Sequence, residues 1–242
     1  MAPVNSMKPR AYMLLGALLA LAVLLITVYL ALVGEDNWFN VSLFYEIFGL
    51  SGVSHTLNSF MIIMALYGRE YFWIPVVAAL WFLGNRSHRT AAFMISVAFI
   101  ADIIIGTIMK DALAMQRPFL YLNINPLIAR PLDASYPSGH ALIVWTGAGM
   151  SLLTLSKRWY VPLSVEAFLV STARVFVGVH WPLDVIGGGL LGLAIAFVIF
   201  GLKDRKLLLD IFKFVNRYIP GLGSYRGSSS GMTKPGTDEA EG

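Results

Sequence analysis

The chain has 242 residues, of which 57% are hydrophobic and 13% are charged, and it contains no cysteine. This composition and a mean hydropathy of +0.69 exclude an ordinary soluble globular domain. The net charge of +4 does not indicate nucleic-acid binding, because the cations interrupt apolar runs instead of clustering on a soluble surface. Without cysteine, disulfides and thiolate metal sites are excluded as well.

The N-terminal part of the sequence predicts one membrane span followed by two helices at the membrane surface. Residues 1–10 form a short polar head, and residues 11–33 are an uninterrupted apolar run. This run is longer than the apolar core of a secretory signal, about 7–15 residues, so we predict a retained first span. Residues 38–50 and 57–66 mix aromatic and polar side chains, which is typical of interfacial amphipathic helices. In the alternative interpretation, residues 57–66 join the next span.

The remaining apolar runs predict five further spans, which are residues 71–84, 91–109, 141–155, 160–179 and 183–202. Residues 111–136 are too rich in proline, asparagine and aspartate to cross the bilayer. Residues 207–220 interleave apolar and charged side chains and predict an amphipathic interfacial helix. The Gly- and Ser-rich residues 221–242 predict a disordered tail. The predicted fold is therefore all-α, a polytopic six-transmembrane-helix bundle over residues 11–206 with interfacial amphipathic helices.

The distribution of basic residues predicts the orientation of this bundle. Six spans place on one side the cations Lys8, Arg10, Arg86, Arg89, Lys157, Arg158, Lys203, Arg205 and Lys206. By the positive-inside rule, that side is cytoplasmic. We therefore expect a multi-pass protein of the cell membrane with both termini in the cytoplasm, and the loops at residues 110–140 and 179–184 outside it.

Ser138, Gly139 and His140 lie directly before the fourth predicted span. Ser138 is a favourable helix N-cap, and Gly139 allows a phosphate to approach the free N–H groups of the first turn. His140 adds a titratable imidazole at the edge of this segment. Alone, the segment also fits an ordinary helix cap beside a chance histidine.

Two further clusters lie on the same predicted side of the membrane. Six residues separate Lys110 from Arg117, while five and then three residues separate Arg174, His180 and Asp184. Brought together, these cations and the histidines would make a phosphate site that needs no metal. A neutral imidazole attacks phosphorus well when a carboxylate holds its other nitrogen, so His180 and Asp184 are a candidate pair.

The order and spacing of these clusters resemble the type 2 phosphatidic acid phosphatases, which share a pocket with vanadium haloperoxidases. The family pattern is Lys-x6-Arg-Pro, then Pro-Ser-Gly-His, then Ser-Arg-x5-His-x3-Asp. The chain matches it except at Ala173, where the family usually has serine. Residues 11–206 would accordingly be a membrane phosphatase domain.

The resemblance implies a role for each matched residue and implies neither a metal nor a cofactor. His180 would attack phosphorus and carry a phosphoenzyme, with Asp184 as its carboxylate partner. His140 would protonate the leaving oxygen and later activate water. The implied phosphate-binding residues are Lys110, Arg117, Ser138, Gly139 and Arg174.

Within the family, the chain most resembles the bacterial undecaprenyl pyrophosphate phosphatases, through its short length and residues 83–85 and 133–137. Similar enzymes act on dolichyl pyrophosphate, so the implied reaction is hydrolysis of a polyprenyl pyrophosphate to the monophosphate, in recycling of a lipid carrier. Phosphatidylglycerophosphate or phosphatidate is the alternative substrate. A lipid transporter is the alternative from another class, but no internal repeat relates the first three spans to the last three.

Four titratable residues fall outside the motifs. Asp102 and Glu166 lie inside predicted spans, where charge is expensive, and we interpret them as polar packing between helices, with a role in catalysis as the alternative. His55 and His88 receive no function.

Overall fold

The computed structural model describes residues 7–219, and all regular secondary structure within that range is helical. The helices are α1 (Pro9–Val33), α2 (Trp38–Phe48), α3 (His55–Tyr67), α4 (Glu70–Phe82), α5 (Arg86–Leu113), α6 (Pro118–Tyr121), α7 (Gly139–Thr154), α8 (Lys157–Phe176), α9 (Pro182–Gly201) and α10 (Lys206–Tyr218). A 3-10 turn over Gly49–Gly52 follows α2. The all-α class is thus confirmed, whereas most of the predicted N-terminal head and the predicted disordered tail lie outside the described residues.

Three stretches within residues 7–219 are long and apolar enough to cross a membrane, namely α1, Arg86–Tyr121 and α9. A fourth candidate is the pair α3 and α4, which meets the same criteria as one unit bent by 59°. This pair fits the alternative in which residues 57–66 join the second span. Helix α7 has 16 residues and α8 includes four charged ones, and neither is among these candidate spans. The count of six spans stays a prediction.

Helices α7 and α9 form the centre of the bundle, with α1, α5 and α8 packed around them. Their backbones approach closely because glycines of α9 face α7. A Cβ atom added at Gly192 would lie 2.4 Å from the carbonyl oxygen of Leu142, and one at Gly188 would lie 2.6 Å from that of Ser138. Small residues at such contacts are typical of helix packing in membranes. The spacing of α7 and α9 is therefore set by backbone contacts.

A buried polar contact joins three helices. The hydroxyl oxygen of Thr146 in α7 lies 3.0 Å from Asp102 Oδ1 in α5 and 3.0 Å from the carbonyl oxygen of Gly192 in α9. Asp102 is fully buried. Its contact supports the interpretation of Asp102 as polar packing between helices.

Helix α10 has no buried residue and exposes apolar side chains. Phe212 and Val215 contact the core cluster of the bundle, while Leu207, Phe214 and Tyr218 are exposed. Its helical conformation agrees with the sequence prediction, and its location at a membrane surface stays a prediction.

Candidate active site

Loops at one end of the bundle bring the predicted site residues together. They enclose a cavity of about 370 Å³ whose walls include Lys110, Arg117, Gly139, His140, Arg174 and His180. Ser138 and Asp184 are fully buried; Asp184 contacts His180 of this wall, and Ser138 directly precedes Gly139 of the wall. All eight residues that the motifs single out therefore lie at one place, although the sequence positions span more than 70 residues.

His180 lies in the turn between α8 and α9, and Asp184 lies in the first turn of α9. Gly178 has φ +81°, a left-handed conformation that suits glycine and turns the chain back toward the cavity. Nδ1 of His180 lies 3.3 Å from Oδ2 of Asp184. The same oxygen accepts hydrogen bonds from the backbone N–H of Trp181 at 2.8 Å and from the hydroxyl of Ser135. These contacts fix the carboxylate in place. Because Nδ1 faces this carboxylate, the proton of the neutral imidazole belongs on Nδ1.

Arg117 contacts the other ring nitrogen of His180. Its Nη1 lies 3.2 Å from Nε2 of His180 and donates to the carbonyl of Val179 at 2.6 Å. With the proton on Nδ1, the lone pair of Nε2 accepts a hydrogen bond from the guanidinium. A phosphate that takes over this N–H donor would thus lie next to Nε2 and free its lone pair for attack.

Burial and the neighbouring cations favour the neutral form of His180. Burial first, and then the positive charges of Arg117, Arg174 and Lys110, hold the pKa of His180 well below its usual value. A neutral imidazole is the form that can act as a nucleophile.

Arg174, at the C-terminal end of α8, is 4% exposed. Its Nη1 donates to the carbonyl of Ala65 at 2.9 Å, and its Nε has no hydrogen-bond partner among residues 7–219. A buried guanidinium with an unused donor is well placed to hold a phosphate oxygen.

Asp133 joins the two cations of the first motif. Its carboxylate oxygens lie 2.8 Å from Lys110 Nζ and 2.8 Å from Arg117 Nη2. Burial acts to raise the pKa of Asp133, but the hydrogen bonds and charges of Lys110 and Arg117 outweigh it and lower the pKa. A carboxylate thus lies where the resemblance places a phosphate, so the two anions would compete. Sequence reasoning assigned Asp133 no role.

Ser138 lies at the N-cap position of α7, as predicted, but its side chain makes no capping hydrogen bond. Its hydroxyl is buried and has no partner within the described part of the chain. Its backbone N–H donates to the carbonyl of Asp184 at 3.0 Å, which ties the second motif to the third. The first N–H groups of α7 have no intrahelical acceptor and remain available to a ligand.

Arg69 is a fourth cation of the cavity and belongs to none of the motifs. It lies at the break between α3 and α4, forms an ion pair with Glu70, and points toward Gly139. A Cβ atom added at Gly139 would lie 3.5 Å from Arg69 Nη1. The only signal in the sequence was an Arg-Glu pair within an otherwise apolar stretch.

Ala173, the one departure from the family pattern, is fully buried in an apolar cluster with Met61, Phe119 and Phe176. It is not among the residues that line the cavity. The position contributes packing to this protein and offers no hydroxyl to a phosphate.

Known proteins match both the sequence and the fold. Residues 91–207 match the profile of the PAP2 superfamily. The chain is 44% identical to an undecaprenyl-diphosphatase of Sulfolobus acidocaldarius over 75% of this chain and 87% of that protein. It is 28% identical to the undecaprenyl-diphosphatase BcrC of Bacillus subtilis over 83% of this chain and 98% of that protein.

A solved structure has the same fold. The transmembrane PAP2-type phosphatidylglycerolphosphate phosphatase of Bacillus subtilis superposes with a TM-score of 0.61 at 22% identity, over 79% of this chain and 96% of that one. The family predicted from the three motifs is confirmed, and the chain belongs to the PAP2 superfamily.

Proposed function

We propose that the protein is a membrane lipid phosphatase that hydrolyses a polyprenyl diphosphate, undecaprenyl or dolichyl, to the monophosphate through a phosphohistidine intermediate. The observation that carries this proposal is the pairing of His180 with Asp184 at Nδ1, which leaves Nε2 next to Arg117 in the wall of a cavity rich in cations.

In the first step, the lone pair of His180 Nε2 attacks the terminal phosphorus. The bond from phosphorus to the bridging oxygen breaks, and its electrons leave with the lipid monophosphate. Asp184 stabilises the positive charge that develops on the imidazole. Lys110, Arg117 and Arg174, with the N–H groups at the start of α7, stabilise the oxygens of the phosphoryl group. His140, in its protonated form, donates a proton to the leaving oxygen. Burial and then the charges of Arg174 and Arg69 lower the pKa of His140, and an anionic substrate opposes this lowering.

In the second step, water attacks the phosphorus of phosphohistidine. His140, now without its proton, accepts one from this water. The bond between phosphorus and Nε2 breaks, inorganic phosphate leaves, and His180 returns to its neutral form. Every catalytic group in this cycle is a side chain or a backbone N–H of the protein. We therefore expect activity in the presence of EDTA.

A lipid substrate is supported by an apolar groove of about 430 Å³ that adjoins the cavity. Five residues line both spaces, Arg69, Glu70, Lys110, Asp133 and Gly139, and we call them the rim. Beyond the rim, the groove is lined mainly by apolar side chains of α4, α5 and α7, including Ile74, Phe99, Ile103, Leu142 and Ile143. A lipid chain can occupy such a groove, whereas a soluble phosphate ester has no apolar part to place there.

The diphosphate is favoured over other lipid phosphates by the relatives in Sulfolobus acidocaldarius and Bacillus subtilis, which are named undecaprenyl-diphosphatases. The site is proposed to face the outside of the cell membrane, with both termini in the cytoplasm. Support comes from the cations of the loops opposite the site. The reaction would regenerate a lipid carrier monophosphate at that surface.

Phosphate release from purified lipids tests this function. Polyprenyl diphosphate, phosphatidylglycerophosphate and phosphatidate are compared with EDTA present, and kcat/KM is expected to be highest for the diphosphate. His180→Ala should reduce turnover to the uncatalysed background. His55→Ala, which replaces an exposed histidine that does not line the cavity, should retain it. Wild-type-like release by His180→Ala would exclude the covalent mechanism. A higher kcat/KM on either glycerophospholipid would move the assignment to that lipid.

A further inference from the structure

We infer that Arg69 binds the phosphate group that stays on the lipid when a diphosphate substrate is cleaved. This inference rests on the proposed function and assigns a second phosphate subsite at the rim. Arg69 lies where the chain bends by 59° between α3 and α4, and its guanidinium reaches the start of α7 at Gly139.

The position of the rim between the catalytic cavity and the apolar groove locates this subsite. His180, Arg117, Arg174 and His140 line the catalytic cavity and are absent from the walls of the groove. The rim lies between the two. A lipid diphosphate with its chain in the groove and its terminal phosphorus at His180 must therefore place its lipid-attached phosphate at the rim. A lipid monophosphate places its one phosphate at His180 and none at the rim.

The charges of the cavity agree with a substrate that carries two phosphates. The wall contains four cations, Arg69, Lys110, Arg117 and Arg174, and two carboxylates, Glu70 and Asp133, which leaves a net charge of +2 apart from the histidines. Three of these cations match the motifs that hold the transferred phosphoryl group. Arg69 is the additional one, and like Lys110 it lines both the cavity and the groove.

The side chain of Arg69 can bind a phosphate without leaving a closed network of hydrogen bonds. It is 31% exposed, its ion-pair partner is the adjacent and half-exposed Glu70, and its Nε has no hydrogen-bond partner within residues 7–219. A guanidinium binds two phosphate oxygens at once, which a lysine cannot do in the same geometry. The ion pair with Glu70 orients the fork before substrate arrives.

The test compares Arg69→Gln and Arg69→Lys with wild type on polyprenyl diphosphate and polyprenyl monophosphate. Arg69→Gln is expected to lower kcat/KM for the diphosphate by about 10- to 100-fold, the effect of losing a hydrogen bond to a charged group. On the monophosphate the loss should stay below about threefold, since no phosphate lies at the rim. Arg69→Lys should be intermediate on the diphosphate. Arg130→Gln removes an exposed arginine of the loop before α7 that lines neither the cavity nor the groove, and it is the matched control for the change in charge.

Inhibition by inorganic ions supplies a second measurement that does not depend on the lipid chain. The inhibition constant of pyrophosphate should rise about tenfold in Arg69→Gln and less in Arg69→Lys, while that of phosphate should change little. If Arg69→Gln fails to fold, the same comparison in Arg69→Lys decides the question.

Equal losses on both lipids, or an unchanged ratio of the two inhibition constants, would overturn the inference. Such a result would place Arg69 at the transferred phosphoryl group or in the support of the fold, and it would leave the diphosphatase activity of the wild type intact. A wild-type protein without diphosphatase activity would instead remove the proposed function, and the subsite with it.

Discussion

Replacing Asp184 by asparagine tests how much the carboxylate behind His180 contributes. Oδ2 of Asp184 contacts three donors, the Nδ1–H of His180, the N–H of Trp181 and the hydroxyl of Ser135, whereas Oδ1 has no partner in the described part of the chain. An asparagine keeps these contacts only when its amide oxygen takes the place of Oδ2, because the NH₂ group would face three donors. Asp184→Asn should thus keep the orientation of the imidazole and remove the negative charge.

The loss of charge sets the expected magnitude. During attack the imidazole becomes positive, and Asp184 Oδ2 lies 3.3 Å from its nearer nitrogen. Two unit charges about 4 Å apart interact by about 4 kcal/mol at an effective dielectric constant of about 20. Since about 1.36 kcal/mol corresponds to a factor of ten in rate, Asp184→Asn should slow phosphoenzyme formation about 1,000-fold.

Rapid-quench measurement of the acid-labile phosphoenzyme gives this rate directly, and KM should change little. Ser135→Ala is the matched control, because it removes one hydrogen bond to the same oxygen and leaves the charge in place; its loss should be about tenfold or less. A rate for Asp184→Asn within tenfold of wild type would refute the electrostatic role of the carboxylate.

Three further outcomes are expected. Burial and the neighbouring cations lower the pKa of His180, so the nucleophile stays neutral as the pH falls. The pKa of the acid limb in the pH profile of kcat/KM should therefore lie below the ordinary histidine value of about 6.5. An acid-limb pKa at or above that value would contradict this expectation. His140→Ala should cost more activity on phosphatidate than on polyprenyl diphosphate, because a phosphate monoester accepts the developing charge better than an alkoxide, and equal losses would contradict this. In intact cells, an impermeant thiol reagent should label Asn123→Cys and not Ser156→Cys, against a background without native cysteine. Labelling of Ser156→Cys alone would invert the proposed topology.

The motifs allowed the site to be predicted because each pairs residue type with spacing. His180 and Asp184 are four residues apart, and with Pro182 starting α9 this spacing brings imidazole and carboxylate into contact. No spacing in the sequence reveals that Asp133 contacts both Lys110 and Arg117, since an aspartate in a polar loop is just as typical of an ordinary turn. That contact depends on how the loop before α7 folds over the end of α5.

Arg69 and the bend between α3 and α4 were missed for a related reason. Hydropathy measures how long an apolar run is, and the charged pair at residues 69–70 reads as a boundary of such a run. In the structure the helices continue on both sides of that pair at an angle of 59°, and the bend directs the arginine toward α7. The direction of a side chain at a bend is decided by the packing of neighbouring helices, which periodicity does not contain.

The backbone holds the three motifs in a fixed relation to one another. Besides the link between Ser138 and Asp184, the N–H of Ser135 donates to the carbonyl of Met115 at 2.8 Å, and the indole of Trp181 donates to the carbonyl of Gln116 at 3.1 Å. These bonds join the loops before α6, α7 and α9, so the nucleophile and the transferred phosphoryl group meet in a geometry that exists before substrate arrives. Within residues 7–219, the half-exposed carboxylates Glu70 and Asp133 form ion pairs with cations of the wall. The reacting groups are thus held in place by hydrogen bonds between the loops. An incoming anion would displace the carboxylates of the rim and leave these loops unchanged.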